Sequence, residues 1–269
     1  MKFNIEGKTA LITGADSGIG KSTAGFLVDE GVTIILSDRD QEALDATIKE
    51  LKETRKDAKI FGITADITNN EEVKALANKI KDDFGGAHIV VNAAGARGAA
   101  GDFLSLSDDD WMQTIEVDLM GAVRIARAFI PQMQALDWGR MIMISSENAY
   151  QPYEEESPYN ACKAGIINLS KCLSRSYSKE NILFNCVSPA YVKTPMTDAM
   201  MEDLAEERNC SIEEAVEWFV KNKRPHIAME RRGKPEEVGS TIAFLCSDHA
   251  SYINGANIRV DGGAVESAF

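Results

Sequence analysis

Short apolar runs alternate along the chain with longer stretches whose apolar positions recur every three or four residues. "TALIT" (Thr9 to Thr13), "VTIILS", "KIFGITADI", "HIVVNAAG", "RMIMISS", "ILFNCVS" and "NIRV" are short and rich in Val and Ile, the pattern of buried strands. Helical segments separate them: "KSTAGFLVDEG" ending at Gly31, a long stretch from Asp40, a charged helix from Asn70, the run from Ser157 to Ser178, and "PEEVGSTIAFLCS". Gly31 suits the left-handed position that follows many helices. Strands apolar on both faces and separated by helices predict a central parallel sheet of about seven strands in a three-layer, doubly wound α/β fold. No linker or change of composition divides the chain, so residues 1–269 are expected to form a single domain.

The stretch from Pro195 to Arg232 breaks this rhythm with helical sequence between two strands. Such an insertion is expected at the carboxyl ends of the strands, where these sheets bind ligands, as a substrate-binding flap. Its Met196, Met200 and Met201 either cover a substrate or pack the flap onto the body.

Composition narrows the function classes. Lys and Arg total 29 against 42 Asp and Glu, a net charge of −13, which disfavours nucleic acid or an anionic membrane as partner. The five cysteines are an odd number without a C-x-x-C pair, which suggests reduced thiols in a cytoplasmic setting. No signal-peptide core and no bilayer-length apolar run is present. His88, His226 and His249 lack zinc spacing, so no metal is expected.

"TGADSGIG" (Thr13 to Gly20) joins the first strand to the first helix. Gly14, Gly18 and Gly20 permit a tight turn and let a pyrophosphate approach the backbone N–H groups at a helix N-terminus. The spacing is G-x-x-x-G-x-G and not the G-x-G-x-x-G fingerprint. The second strand ends at Ser37-Asp38, and a carboxylate there can accept hydrogen bonds from the adenosine ribose and repel a 2′-phosphate. Asp38 therefore favours NAD over NADP, although Arg39 beside it could pair with that phosphate.

Of the six tyrosines, only Tyr159 has a lysine four residues later, Lys163. Ser157-Pro158 reads as an N-cap followed by Pro at the first helical position, which puts Tyr159 and Lys163 one turn apart on one face. A phenol is a poor base at neutral pH, and a neighbouring ammonium together with the positive charge of an oxidised nicotinamide is expected to lower its pKa.

The sequence as a whole resembles the short-chain dehydrogenase/reductase family in its compact form, a Rossmann fold. The likeness rests on "TGADSGIG", "ADI" (Ala65 to Ile67), "NAAG" (Asn92 to Gly95), "ISS" ending at Ser146, "YNACK", "NCVSPAYVKTPM" and "VDGG" (Val260 to Gly263), in that order. It implies roles for individual positions. Ser146 would hydrogen-bond the reacting oxygen, Tyr159 would be the general acid/base, and Lys163 would tune it and hold the nicotinamide ribose. The turn residues Gly14, Asp16, Ser17, Gly18, Ile19 and Gly20, with Asp38, Arg39, Asp66, Ile67, Asn92, Ala93 and Gly95, would line the dinucleotide. Pro189, Val192 and Thr194 would hold its nicotinamide end. Two positions depart from the family pattern. Asp118 in "VDLMG" replaces an Asn that supports a water relay to the lysine, and Ala190 replaces a Gly.

The resemblance thus implies an NAD-dependent oxidoreductase acting on a secondary alcohol or its ketone, and a homotetramer. A 3-oxoacyl thioester reductase using NADPH is the alternative, and a non-catalytic dinucleotide-binding protein the more distant one. For the substrate, Arg97, Glu147, Asn148, Tyr153, Tyr191, Met196 and Met200 are the candidate contacts. Glu147 and Arg97 suggest either a polar substrate, such as a polyol or a carboxylate, or simply an ion pair with each other. Met196, Met200, Trp218 and Phe219 point instead to an apolar alcohol. Glu154, Glu155 and Glu156 are expected in a solvated loop at the mouth of the site.

Overall fold

The computed structural model describes residues 2–268. Seven parallel strands form one sheet in the order β3-β2-β1-β4-β5-β6-β7. They are β1 (Thr9–Thr13), β2 (Thr33–Ser37), β3 (Ile60–Gly62), β4 (Ile89–Asn92), β5 (Gly139–Ile144), β6 (Ile182–Pro189) and β7 (Asn257–Val260). The helices are α1 (Gly18–Asp29), α2 (Gln41–Thr54), α3 (Asn70–Phe84), α4 (Asp108–Ile115), α5 (Gly121–Ala135), α6 (Ser157–Tyr177), α7 (Pro195–Arg208), α8 (Ile212–Lys223) and α9 (Pro235–Leu245).

The strand pattern produces this layering directly. On β1, Ala10 and Ile12 face the apolar layer beneath α1, α2 and α9, while Leu11 faces the layer beneath α3, α5 and α6. Ile34 and Leu36 against Ile35, and Ile89 and Val91 against Val90, repeat the alternation on β2 and β4. Both faces of these three strands are therefore buried, which is why their runs read as continuously apolar and not as alternating, whereas the edge strands β3 and β7 are only partly buried. Leu27, Val238 and Ile242 fill one layer; Ile80, Phe129 and Ile166 fill the other.

Local sequence sets the helix ends. Asp40 caps α2 by accepting from the N–H groups of Glu42 and Ala43, and Asn69 caps α3 in the same way. The helix expected from Asp40 thus starts one residue later, with the aspartate outside it. The segment read as the strand "KIFGITADI" contributes only Ile60–Gly62; Ala65 and Ile67 instead turn back into the apolar layer beneath α3 and α5. Ser157 lies inside α6 and does not cap it; Glu156 takes the cap position without a side-chain bond.

Strand order reverses between β1 and β4, and crevices in such sheets open at the carboxyl ends of the strands at this point. The Pro195–Arg232 segment forms α7 and α8, and its Met201, Val220 and Ile227 pack in an apolar cluster with Tyr191 and Ala264 from outside the segment. Among the described residues no helix is long and apolar enough to cross a membrane.

Candidate active site

A cleft of about 480 Å³ runs along the carboxyl ends of β1, β2, β4, β5 and β6. Its first part is the turn after β1. Gly14 and Gly18 take left-handed φ values of 63° and 53°. A Cβ on Gly14 would lie 2.6 Å from the Ala94 nitrogen, and one on Gly20 would lie 2.2 Å from the Gly14 oxygen. Only glycine permits this close packing of turn, helix start and the β4 loop. Ser17 stands at the N-cap of α1 without capping it; its hydroxyl bonds Asp16 Oδ1 at 2.9 Å instead. The first-turn N–H groups of α1 are thereby left for an anionic group in the cleft.

Asp38 and Arg39 line the cleft past the end of β2. The Asp38 carboxylate accepts the Arg39 backbone N–H at 2.7 Å, and burial raises its pKa despite that bond. Asp66 and Ile67 form the next wall, followed by Ala93 and Gly95. Pro189, Val192 and Thr194 close the opposite end. Thr194 also caps α7, whose second residue, Met196, projects into the cleft and is 45% exposed. Ala190 lines the cleft as well, and is not among the residues with positive φ, so its Cβ is accommodated without strain.

The reactive groups converge where β5 meets α6. Lys163 Nζ lies 3.0 Å from Asp118 Oδ1 and 3.3 Å from the Ile144 carbonyl. Both side chains of the ion pair are buried. Asp118 reaches the lysine because the helix from α4 into α5 contains one π-helical turn, Glu116–Met120, a distortion common at functional sites. Its Oδ1 also accepts the Ala96 N–H at 3.3 Å, while Oδ2 is buried without a partner. Gly95 makes room for the pair: a Cβ there would sit 2.9 Å from Asp118 Oδ1. Lys163 Nζ is 5.2 Å from the centre of the Tyr159 ring.

Burial would lower the Lys163 pKa, but Asp118 and Tyr159 outweigh it and raise the value. The Tyr159 phenol is also shifted up, chiefly by burial. Lys163 pulls it down, while Asp118 and Glu147 push it up. The lysine thus acts in the expected direction, but its charge is matched by Asp118 and does not by itself overcome desolvation; the expected lowering counts also on the positive charge of an oxidised nicotinamide.

Ser146, at the end of β5, completes the group; its Oγ donates to Glu147 Oε2 at 2.8 Å or to Asn148 Oδ1 at 3.0 Å. Burial lifts the Glu147 pKa to about 7, against the Ser146 hydrogen bond and the charge of Arg224, which lower it.

Several expected contacts lie elsewhere. Asn92 is buried outside the cleft and accepts the Thr13 hydroxyl at 3.1 Å, tying β4 to β1. Arg97 is exposed and pairs neither with Glu147 nor with the cleft wall; the cation near Glu147 is Arg224 from the end of α8. Glu147, Asn148, Tyr153 and Tyr191 stand behind the wall, not on it, and Met200 packs into the flap cluster. Glu156 is not in a solvated loop: it binds Arg224 Nη2 at 2.8 Å and Asn148 Nδ2 at 2.7 Å, and Arg224 stacks 3.5 Å from the Tyr153 ring centre. Glu154 and Glu155 are exposed as expected. Thr13, Ser37, Thr68 and Thr197 line the cleft without having been singled out, since lone Thr and Ser residues at strand and helix ends carry no spacing signal. Arg224 was missed as well, because its neighbours come from distant parts of the chain.

The family model described as enoyl-(acyl carrier protein) reductase matches residues 14–265. An uncharacterized oxidoreductase of Bacillus subtilis, YvaG, is 35% identical over 269 residues, covering 100% of both chains. The 3-oxoacyl-[acyl-carrier-protein] reductase FabG of Thermotoga maritima is 32% identical over 98% of this chain and 100% of its own. Among solved structures, L-sorbose reductase from Gluconobacter frateurii, complexed with NADPH and L-sorbose, superimposes with a TM-score of 0.94. It is 32% identical and covers 99% of this chain and 100% of its own. The ligand-free aldohexose dehydrogenase of Thermoplasma acidophilum gives 0.85 at 30% identity, covering 100% of this chain and 98% of its own. Full-length likeness of this kind, with the glycine turn and the Ser146, Tyr159 and Lys163 group in place, makes the chain a member of the short-chain dehydrogenase/reductase family of oxidoreductases.

Proposed function

We propose that residues 1–269 act as one dinucleotide-binding unit with a flap at 195–232, interconverting a secondary alcohol and its ketone. The observation that carries this reading is the convergence of Ser146, Tyr159, Lys163 and Asp118 at one end of a cleft whose other end is an uncapped helix N-terminus. A nicotinamide dinucleotide, when bound, supplies or accepts the hydride. The first-turn N–H groups of α1 hold its pyrophosphate, Asp38 its adenosine ribose, and Lys163 its nicotinamide ribose. Tyr159 moves the proton. Its raised pKa keeps the phenol protonated near neutral pH, ready to donate to a carbonyl oxygen. In the oxidising direction the tyrosinate takes the alcohol proton, and the Lys163 ammonium stabilises that anion. Ser146 fixes the reacting oxygen by hydrogen bonding.

NAD(H) is the preferred cofactor in this reading, because a carboxylate at Asp38 repels a 2′-phosphate. NADP(H) is the second reading, favoured by the exposed Arg39 beside it and by the NADPH bound to the sorbose reductase. The substrate class is a small polyhydroxylated ketone or alcohol, supported by the sugar-directed names of two structural neighbours and the polar groups around Ser146. An acetoacetyl thioester is the rival substrate, on the likeness to the Thermotoga reductase. A homotetramer is proposed on the family resemblance, and sedimentation tests it.

The functional test is a turnover screen with L-sorbose, other ketoses and polyols, and the acetoacetyl thioester of N-acetylcysteamine, with either cofactor. Tyr159→Phe should keep dinucleotide binding and lose at least about 100-fold in turnover. Unchanged turnover refutes the mechanism.

A further inference from the structure

The Ser146 hydroxyl has a single proton and more acceptors than it can serve. Glu147 Oε2 lies 2.8 Å from Oγ and Asn148 Oδ1 lies 3.0 Å away, while Oγ itself accepts the Asn148 N–H at 3.2 Å. The orientation of Asn148 is fixed, since its Nδ2 donates to Glu156 Oε2 at 2.7 Å and Asn160 Oδ1 at 2.8 Å. Its amide oxygen therefore faces Ser146 as an acceptor only. Glu147 is 4% exposed, stands outside the cleft wall, and touches the reaction centre through Ser146. The ionisable groups that face it are Arg224 from the end of α8, Glu156 before α6, Tyr159 on α6, and Tyr153 from the loop between β5 and α6.

We infer that Glu147 is a positioning residue that sets which way the Ser146 hydroxyl points: its carboxylate holds the Ser146 proton away from the cleft, and its carboxylic acid, donating to Oγ, turns that proton toward the substrate's carbonyl oxygen. This rests on the role given to Ser146 above and goes beyond it. A carboxylate is a stronger acceptor than a ketone, because a charge-assisted hydrogen bond is roughly twice as strong as a neutral one. Ionised Glu147 therefore outcompetes the substrate for the proton. Protonated Glu147 reverses the bond, and only neutral, weaker acceptors then compete: the Asn148 amide oxygen and the Tyr159 hydroxyl, which also hydrogen-bonds Ser146. With Glu147 titrating near neutrality, both forms are populated under ordinary conditions. Ketone reduction needs Ser146 as a donor and is the direction favoured by the acid form.

Two readouts test this. The first needs neither cofactor nor substrate: the infrared carbonyl stretch of a protonated carboxyl, followed with pH as the difference between wild type and Glu147→Gln. The expected difference band disappears with a midpoint near pH 7. Its absence across the range from about pH 5 to about pH 9 overturns the proposal. The second is the pH dependence of kcat/KM for reduction of L-sorbose and of the acetoacetyl thioester. Wild type should fall about tenfold through the same midpoint, and the fall should vanish in Glu147→Gln, whose amide cannot ionise. A fall that persists in the variant, or a uniform loss with the wild-type profile, reduces Glu147 to a structural group and overturns the proposal. Tyr159→Phe separates the two levels. Retained turnover in that variant refutes the function itself, whereas an inactive Tyr159→Phe with an unaltered Glu147→Gln profile refutes only the role of Glu147. If neither compound is reduced, the infrared titration decides.

Discussion

Replacing Glu147 by Gln should stabilise the protein at alkaline pH and leave it nearly unchanged in acid. An isolated glutamate titrates near 4.5, and burial moves Glu147 to about 7. Below 4.5 both the folded and the unfolded chain carry the proton, and its burial carries no ionisation penalty. Between 4.5 and 7 the unfolded chain releases the proton first, so stability is lost as pH rises; above 7 the full penalty is present. At about 1.4 kcal/mol per pH unit, the gap corresponds to about 3 kcal/mol, which the buried position of the side chain leaves unscreened. Any constant gain or loss from exchanging acid for amide cancels when two pH values are compared. Urea unfolding at about pH 4.5 and about pH 8.5 should show the variant's advantage growing by about 3 kcal/mol, or about 6 °C in Tm for a chain of this length. An advantage that stays constant across that range refutes both the burial argument and the ionisation assigned to Glu147.

Further outcomes follow from the same geometry. Lys163→Met leaves the Asp118 carboxylate buried without its cation and should destabilise the protein by about 3–5 kcal/mol in urea, with much of it restored by adding Asp118→Asn; a loss under about 1 kcal/mol contradicts the pairing. Gly20→Ala sets a Cβ against the Gly14 oxygen and should abolish dinucleotide binding in a fluorescence titration while lowering stability by about 1–3 kcal/mol. Asp38→Asn removes the charge opposed to a 2′-phosphate, so the NADP-to-NAD ratio of kcat/KM should rise about tenfold. A ratio that does not move shows that Arg39, not Asp38, governs the choice.

Much of this molecule is written locally. The alternation of short Val- and Ile-rich runs with helical segments determined the parallel sheet, since a strand buried on both faces leaves no polar register to misread. The glycine turn was legible because only glycine tolerates the φ values and contacts found at Gly14, Gly18 and Gly20. The pairing of Tyr159 with Lys163 followed from helix periodicity. What lies between elements was decided in three dimensions. The cation whose charge acts on Glu147 is Arg224, seventy-seven positions away on the flap and paired with Glu156, where the sequence offered Arg97. Glu156 looked like one of three solvated acids until Asn148 and Arg224 enclosed it. Asn92 belonged to a motif yet serves a strand-to-strand bond, because its side chain turns into the sheet and not into the cleft. The phenol's upward shift required knowing that Lys163 is already matched by Asp118 across a π-helical turn. Backbone constraints and periodicities act over a few residues and are visible in order alone. Desolvation and charge pairing depend on which distant groups the fold brings within a few ångströms, and that only the tertiary structure decided.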